Sequence, residues 1–296
     1  MKLIALDQNV VSNLANPPNA VWSEILLLLE AGVKSRTILC PTSPVTLIET
    51  THLPRVERQK IERVCREISG GYFVRFFWEI IAREALARVR PGVETFPLWV
   101  PDWLNETSEA QNEANSLAMW AEGDKLEAAV NSCELPGRQK NYSVQDAIYA
   151  NGTYWFQLVV ERLNKLTNGQ MIGDEQFVIQ QVCGALVELG VTDGEIAGML
   201  QDIERGDWFE IPILTCWLSL EGLLLYDQIQ RGGRFKCNDE WDKFRAGEAY
   251  QFAHCFITDG GMAGALKRLG LQDPDNFEVF SVTETNRIIE YLKAER

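Results

Sequence analysis

Two short apolar runs, far apart in the chain, end in the same way, and this constrains the fold more than any other feature. The first, Lys2-Leu3-Ile4-Ala5-Leu6, runs straight into Asp7, with Asn9 and Ser12 close behind. The second, Ala253-His254-Cys255-Phe256-Ile257, delivers Thr258-Asp259-Gly260-Gly261. Runs this short and this apolar read as parallel strands buried on both faces, with polar groups gathered at their carboxyl ends. Ligands of open α/β sheets bind at that edge, which makes Asp7 and Asp259 candidate functional residues. The competing reading of Asp7 is a simple N-cap of the next helix.

Between these runs the pattern changes twice. Val21 to Ala31 reads as a helix ended by Gly32, and Arg36 to Cys40 as a second strand, giving a parallel β-α-β unit. A short helix over Val45 to His52 then carries Glu49, which follows the apolar Leu47 and Ile48 and so points toward the same sheet edge. From Arg55 to Arg234 helical periodicity dominates, over Val56–Ile68, Tyr72–Val89, Ala110–Val130, Ser143–Leu166, Asp174–Leu189, Asp193–Ile203 and Ile213–Ile229. The alternation returns with an amphipathic helix over Asp242–Phe252, the late strand, a helix over Met262–Leu269, a strand over Phe277–Val282 and a closing helix over Glu284–Ala294. The predicted fold class is α/β: a parallel sheet flanked by helices, formed by residues 1–55 and 236–296, with a large all-helical insertion over 56–235.

Composition excludes several function classes. The 296 residues carry 28 Lys and Arg against 42 Asp and Glu, a net charge of −14. Nucleic-acid binders usually present a basic surface, because phosphate contacts supply most of the non-specific affinity. A chain this acidic that acts on nucleic acid needs locally concentrated basic residues, or metal ions bridging it to the substrate. Anionic membrane surfaces are disfavoured by the same charge. The seven cysteines form no C-x-x-C pair, which argues for reduced thiols in a cytoplasmic protein and against a zinc ribbon. A strand begins at the second residue, so no secretory leader is expected. The most apolar stretch, Ile211 to Tyr226, is too short to span a membrane and carries Glu221, so no membrane association is expected.

Asp7, Glu49 and Asp259 thus occupy equivalent places beyond strand ends. A fourth acid comes from Asn238-Asp239-Glu240-Trp241-Asp242, where Asp242 opens the helix that feeds the late strand. Such carboxylates cannot all stay ionised at close quarters without a cation among them, and hard oxygen ligands suit Mg²⁺ or Mn²⁺. Asp242 also suits an N-cap and Asp239 a surface position, while His254 reads as a satisfied core histidine. His52 is three residues from Glu49 on the same short helix. Two basic runs flank the acids: Arg55, Arg58, Lys60, Arg63 and Arg66, and Arg231, Arg234, Lys236, Lys243 and Arg245. They suit steering of RNA phosphates, although Glu57, Glu62 and Glu67 interleave the first as in an ordinary salt-bridged helix. The aromatic stretch Tyr72–Trp78 has base-stacking residues at a spacing that equally suits a helical core.

Taken in order, Asp7-x-Asn9 with Ser12, Ser43 with Glu49, Asp239-x-x-Asp242 and Phe256-Ile257-Thr258-Asp259 resemble the PIN-like nuclease domain. The resemblance covers residues 1–55 and 236–296. It implies a five-stranded parallel sheet of order 3-2-1-4-5 and endoribonuclease activity dependent on Mg²⁺ or Mn²⁺. It further implies that Asp7, Glu49, Asp242 and Asp259 hold one or two ions, with Asp239 the alternative third acid, and that single-stranded RNA is the substrate. Asn9, Ser12, Ser43 and Thr258 would then fix the carboxylates or a water through hydrogen bonds. The alternative is a PIN-like fold without catalysis, a scaffold whose helical insertion binds a protein partner. A third reading, a phosphate-handling α/β enzyme, needs a glycine-rich loop, and Gly232-Gly233 and Gly260-Gly261 lack P-loop spacing.

Overall fold

The computed structural model describes residues 1–51, 53–99, 120–121, 124–125, 127–128, 131–132, 140–170, 177–232, 234, 236–273 and 276–295. His52 and most of the helix expected over 110–130 lie outside the described residues. The chain divides into two compact units, one of residues 1–74, 98–134 and 234–296 and the other of residues 75–97 and 135–233.

The first unit is built on a four-stranded parallel sheet. Its strands are β1 (Lys2–Leu6), β2 (Ile38–Leu39), β5 (Cys255–Thr258) and β6 (Glu278–Ser281), in the order β2-β1-β5-β6. The two runs that end in aspartate lie side by side, with Ile4 opposite Cys255, Ala5 opposite Phe256 and Leu6 opposite Ile257. All four residues of β5 are buried, as are the last three of β1, which is why neither strand shows a polar alternation. Beyond β2, a single parallel bridge joins Thr42 to Phe73 at the start of β3 (Phe73–Val74). β3 pairs antiparallel with β4 (Leu98–Trp99).

Helices cover this sheet, and several start on a cap that the sequence supplies. α1 (Gln8–Ala15) is capped by Asp7. α2 (Ala20–Ser35) is capped by Asn19, whose Oδ1 accepts from the backbone N–H groups of Val21 at 3.0 Å and Trp22 at 3.2 Å. α3 (Pro44–Thr50) has Ser43 as its cap and Pro44 in the first turn, where a missing N–H costs nothing. α4 (Arg55–Ser69), in a stretch the sequence assigns to the helical insertion, contributes Ile61, Val64, Cys65 and Ile68 to the same core as Ile4, Leu6, Val10 and Ile25. α2 lies close to β2 at Gly32, where a Cβ would come within 2.7 Å of Ile38 Cδ1.

Two expectations need correcting. The sequence predicts one helix over Tyr72–Val89, whereas Phe73 and Val74 form a strand and the helix α5 (Phe77–Val89) begins three residues later. Phe73 and Val74 are held by backbone bonds on both sides, including Val74 N–H to the Thr42 carbonyl at 3.0 Å, and this pairing overrides the apparent helical spacing of the aromatics.

The second unit is helical: α5, α6 (Val144–Thr167), α7 (Phe177–Glu188), α8 (Asp193–Arg205), a 3₁₀ turn (Asp207–Glu210) and α9 (Pro212–Arg231). α6 and α9 approach closely at Gly222, where a Cβ would sit 2.5 Å from Ile148 Cα. Trp155, Phe156, Trp208 and Trp217 interlock edge to face in its core. Arg90 ends α5 by clamping Glu195 in the first turn of α8 and donating to the carbonyls of Leu189 and Gly190. Among the described residues no helix is long and apolar enough to cross a membrane.

The second correction concerns α10 (Cys237–Phe252), which belongs to the first unit. It starts well before Asp242, so Asp242 is not a capping residue but lies in the second turn. Asp239 is the residue that serves the helix start, accepting from the Lys236 N–H at 2.8 Å.

Candidate functional site

The pairing of β1 with β5 decides where the first carboxylate points. Asp7 N–H donates to the Ile257 carbonyl at 3.0 Å, so the Asp7 side chain emerges beside Thr258. There the Thr258 hydroxyl donates to Asp7 Oδ2 at 2.7 Å, and the Gln8 N–H donates to Oδ1 at 2.7 Å. Asp7 is thus both cap and site residue, and it is only 4% exposed. Burial pushes its carboxyl up to about 6, while the bonds from Thr258 and Gln8 oppose the rise and the neighbouring Asp259 adds to it.

Asp259 leaves the end of β5 and caps α11 (Gly260–Arg268), its Oδ1 accepting from Gly261 N–H at 2.5 Å and Met262 N–H at 3.1 Å. Asp242, on α10, feels the charge of both of these acids. Burial first, then repulsion from Asp7, Asp259 and Asp239, push its carboxyl up to about 8. Among the described residues no hydrogen bond or ion pair reaches it. Three of the expected acids therefore lie within reach of one another's charge.

The residues that sequence reading missed lie on the same face of α10, at three-residue spacing after Asp242. Arg245 is 2% exposed and its guanidinium forms ion pairs with both Asp7 and Glu49. Glu49, on α3, is itself buried, so it does point at the site, but at the arginine. Burial lowers Arg245 to about 9, which leaves it cationic at neutral pH, and the fields of Glu248 and Asp259 favour that charge. One turn further on, Glu248 accepts a 2.6 Å hydrogen bond from the Ser43 hydroxyl, while its other oxygen is buried without a hydrogen-bond partner among the described residues. Burial pushes Glu248 up to about 8, against the opposing effects of Ser43 and Arg245.

Arg245 and Lys243, which the sequence places among the basic residues suited to RNA, are both buried, and Lys243 pairs with Glu240 at 2.6 Å. They neutralise the protein's own acids instead of facing a substrate. The signal available in the sequence was the i, i+3, i+6 stripe Asp242, Arg245, Glu248, which places three charged groups on one side of a helix that is buried almost all round.

The remaining candidates divide. Ser43 caps α3 through Val45 N–H and also holds Glu248, which ties it to the site. Asn9 Oδ1 is buried without a hydrogen-bond partner among the described residues. Ser12 accepts from Gln8 Nε2 at 3.1 Å, a bond internal to α1. Asp239 reaches the site through its charge only. His254 Nδ1 accepts from Leu3 N–H at 3.1 Å, so it acts as a satisfied, neutral histidine, and burial lowers its pKa further.

No family model, curated protein or solved structure matches the chain. The site therefore has to be judged on its own chemistry. Asp7, Asp242 and Asp259 offer only hard oxygen donors, and Asp242 is crowded by like charges with no described cation against it, which suits a small divalent ion. Among the described residues, however, no group of three or more acidic, histidine or cysteine side chains is placed to hold a metal ion. Arg245 supplies one cation to this cluster, on the side of Asp7 and Glu49.

Proposed function

We propose that the α/β unit is a metal-dependent endoribonuclease of PIN-like type. The observation that carries the reading is Asp242, a carboxyl raised first by burial and then by the charges of Asp7, Asp259 and Asp239. The strand order β2-β1-β5-β6 is compatible with it, and the Thr42–Phe73 bridge supports a further strand outside β2, as the order 3-2-1-4-5 requires. Asp7, Asp242 and Asp259 would hold Mg²⁺ or Mn²⁺, with Glu49 joined to them through Arg245. A bound divalent ion of this kind acidifies a water and neutralises charge that grows on a phosphodiester under attack. The chain's own residues do the positioning: Thr258 fixes the rotamer of Asp7, the first turn of α11 fixes Asp259, and Arg245 fixes Asp7 against Glu49.

The test is cleavage of several single-stranded RNAs by the purified protein with Mn²⁺, with EDTA, and as Asp7→Asn and Asp242→Asn. Cleavage that requires Mn²⁺ and falls by at least about 100-fold in either variant supports the reading. Absence of metal-dependent cleavage from every RNA, with no Mn²⁺ binding by calorimetry, overturns it.

Arg245 favours a second reading, a PIN-like scaffold without catalysis whose helical unit binds a protein partner. An arginine that already neutralises two of the four acids is what a site without a metal would need. The same calorimetry separates the two readings.

A further inference from the structure

Buried arginines that touch two carboxylates are uncommon, because an ion taken out of water must recover its lost hydration from close partners. Arg245 has such partners in Asp7 and Glu49, which come from separate elements, the residue that follows β1 and the last turn of α3. It sits on the helix face that also presents Asp242 and Glu248. It is thus placed to do for Asp7 what a metal ion would do.

We infer that Arg245 is the resident counter-ion of the acidic site, holding Asp7 and Glu49 in the metal-free protein and competing with a divalent cation for them. This rests on the metal reading proposed above for the competition, and not for the counter-ion role. Three consequences follow from the geometry. The metal-free unit folds with Asp7 and Glu49 in place, since Arg245 balances their charges from within. The affinity for a divalent cation is lower than the number of carboxylates suggests, because part of Asp7 is already engaged. Glu49 acts as a positioning residue on Arg245, and touches no metal while Arg245 holds it.

Two measurements test this on the full chain. The first is thermal unfolding in EDTA of wild type, Arg245→Met, and Arg245→Met combined with Asp7→Asn and Glu49→Gln. Arg245→Met is expected to lower the midpoint by about 10 °C, because two buried carboxylates lose their cation, and the triple variant to regain at least half of that. A triple variant no more stable than the single one overturns the counter-ion role, since Arg245 would then be needed for its packing alone. The second is calorimetric titration with Mn²⁺ of wild type, Arg245→Met and Arg245→Lys, the last keeping the charge on a head that cannot bridge as a fork. Tighter Mn²⁺ binding by about tenfold in Arg245→Met, and by less in Arg245→Lys, supports competition. Equal or weaker binding in both variants overturns it. Absence of Mn²⁺ binding from all three proteins overturns the metal reading and the competition together, and the EDTA melts then decide the counter-ion role alone.

Discussion

The Thr258 hydroxyl and the Asp7 carboxylate, 251 residues apart in sequence, are joined by a 2.7 Å hydrogen bond across the central pair of strands. Both groups are buried, so neither has water as an alternative partner. Thr258→Val keeps the shape and removes the donor. It is expected to cost about 1–2 kcal/mol in chemical unfolding at pH 8 and less at pH 5, where Asp7 is mostly protonated. Carbon-detected NMR titration of Asp7 should show its pKa rising above the value of about 6 in the intact protein.

Stability of the metal-free protein should fall as pH rises from about 5 to 8. Asp7, Asp242 and Glu248 have folded pKa values of about 6, 8 and 8, each above the ordinary carboxyl range. The folded state then binds more protons than the unfolded state, so the unfolding free energy decreases with pH through this window, the reverse of ordinary acid denaturation. Denaturant melts at steps of pH measure the slope, and a flat or rising profile would contradict the burial of these acids.

At Glu248 the protonated form is the one that the fold accommodates at neutral pH. Glu248→Gln should leave stability at pH 7 within about 1 kcal/mol of wild type and flatten part of the pH slope. Glu248→Ala should cost about 2–4 kcal/mol, because it opens a cavity and strands the Ser43 hydroxyl. A double-mutant cycle with Ser43→Ala reads their coupling directly.

In the helical unit the sensitive position is Gly222. An added methyl would lie 2.5 Å from Ile148 Cα, in backbone that cannot swing aside. Gly222→Ala is expected to cost about 3 kcal/mol, seen as early loss of hydrogen-exchange protection in α6 and α9. Gly184→Ala, which meets nothing within 4 Å, is the matched control and should be neutral or slightly stabilising.

The strands that end in Asp7 and Asp259 were legible in the sequence because a parallel strand buried on both faces has a simple signature. So was Thr258, through its place beside Asp259. Glu49 was legible as an inward-pointing acid from Leu47 and Ile48 before it. Arg245 was not, because an arginine between acidic and apolar neighbours reads as surface until the helix is known to be buried all round. α10 also begins at Cys237, since Asp239 reaches back to Lys236, and a start placed at Asp242 hides the stripe that continues to Glu248. The two-residue strands β3 and β4 carry too little periodicity to compete with the helical spacing around them.

The register of β1 against β5 also sets the timetable on which this protein is made. Leu6 waits for Ile257, so the inner edge of the first strand stays open while about 250 residues are synthesised, on the order of 10–50 s at ordinary ribosomal rates. During that interval an apolar strand edge is exposed to wrong partners, which makes nascent-chain chaperoning a practical condition for good yield. It also means that Asp7 meets Thr258 only after the 251 residues that separate them in sequence have been made. Whatever this centre does, it cannot begin before β5 and the residues that follow it have been made.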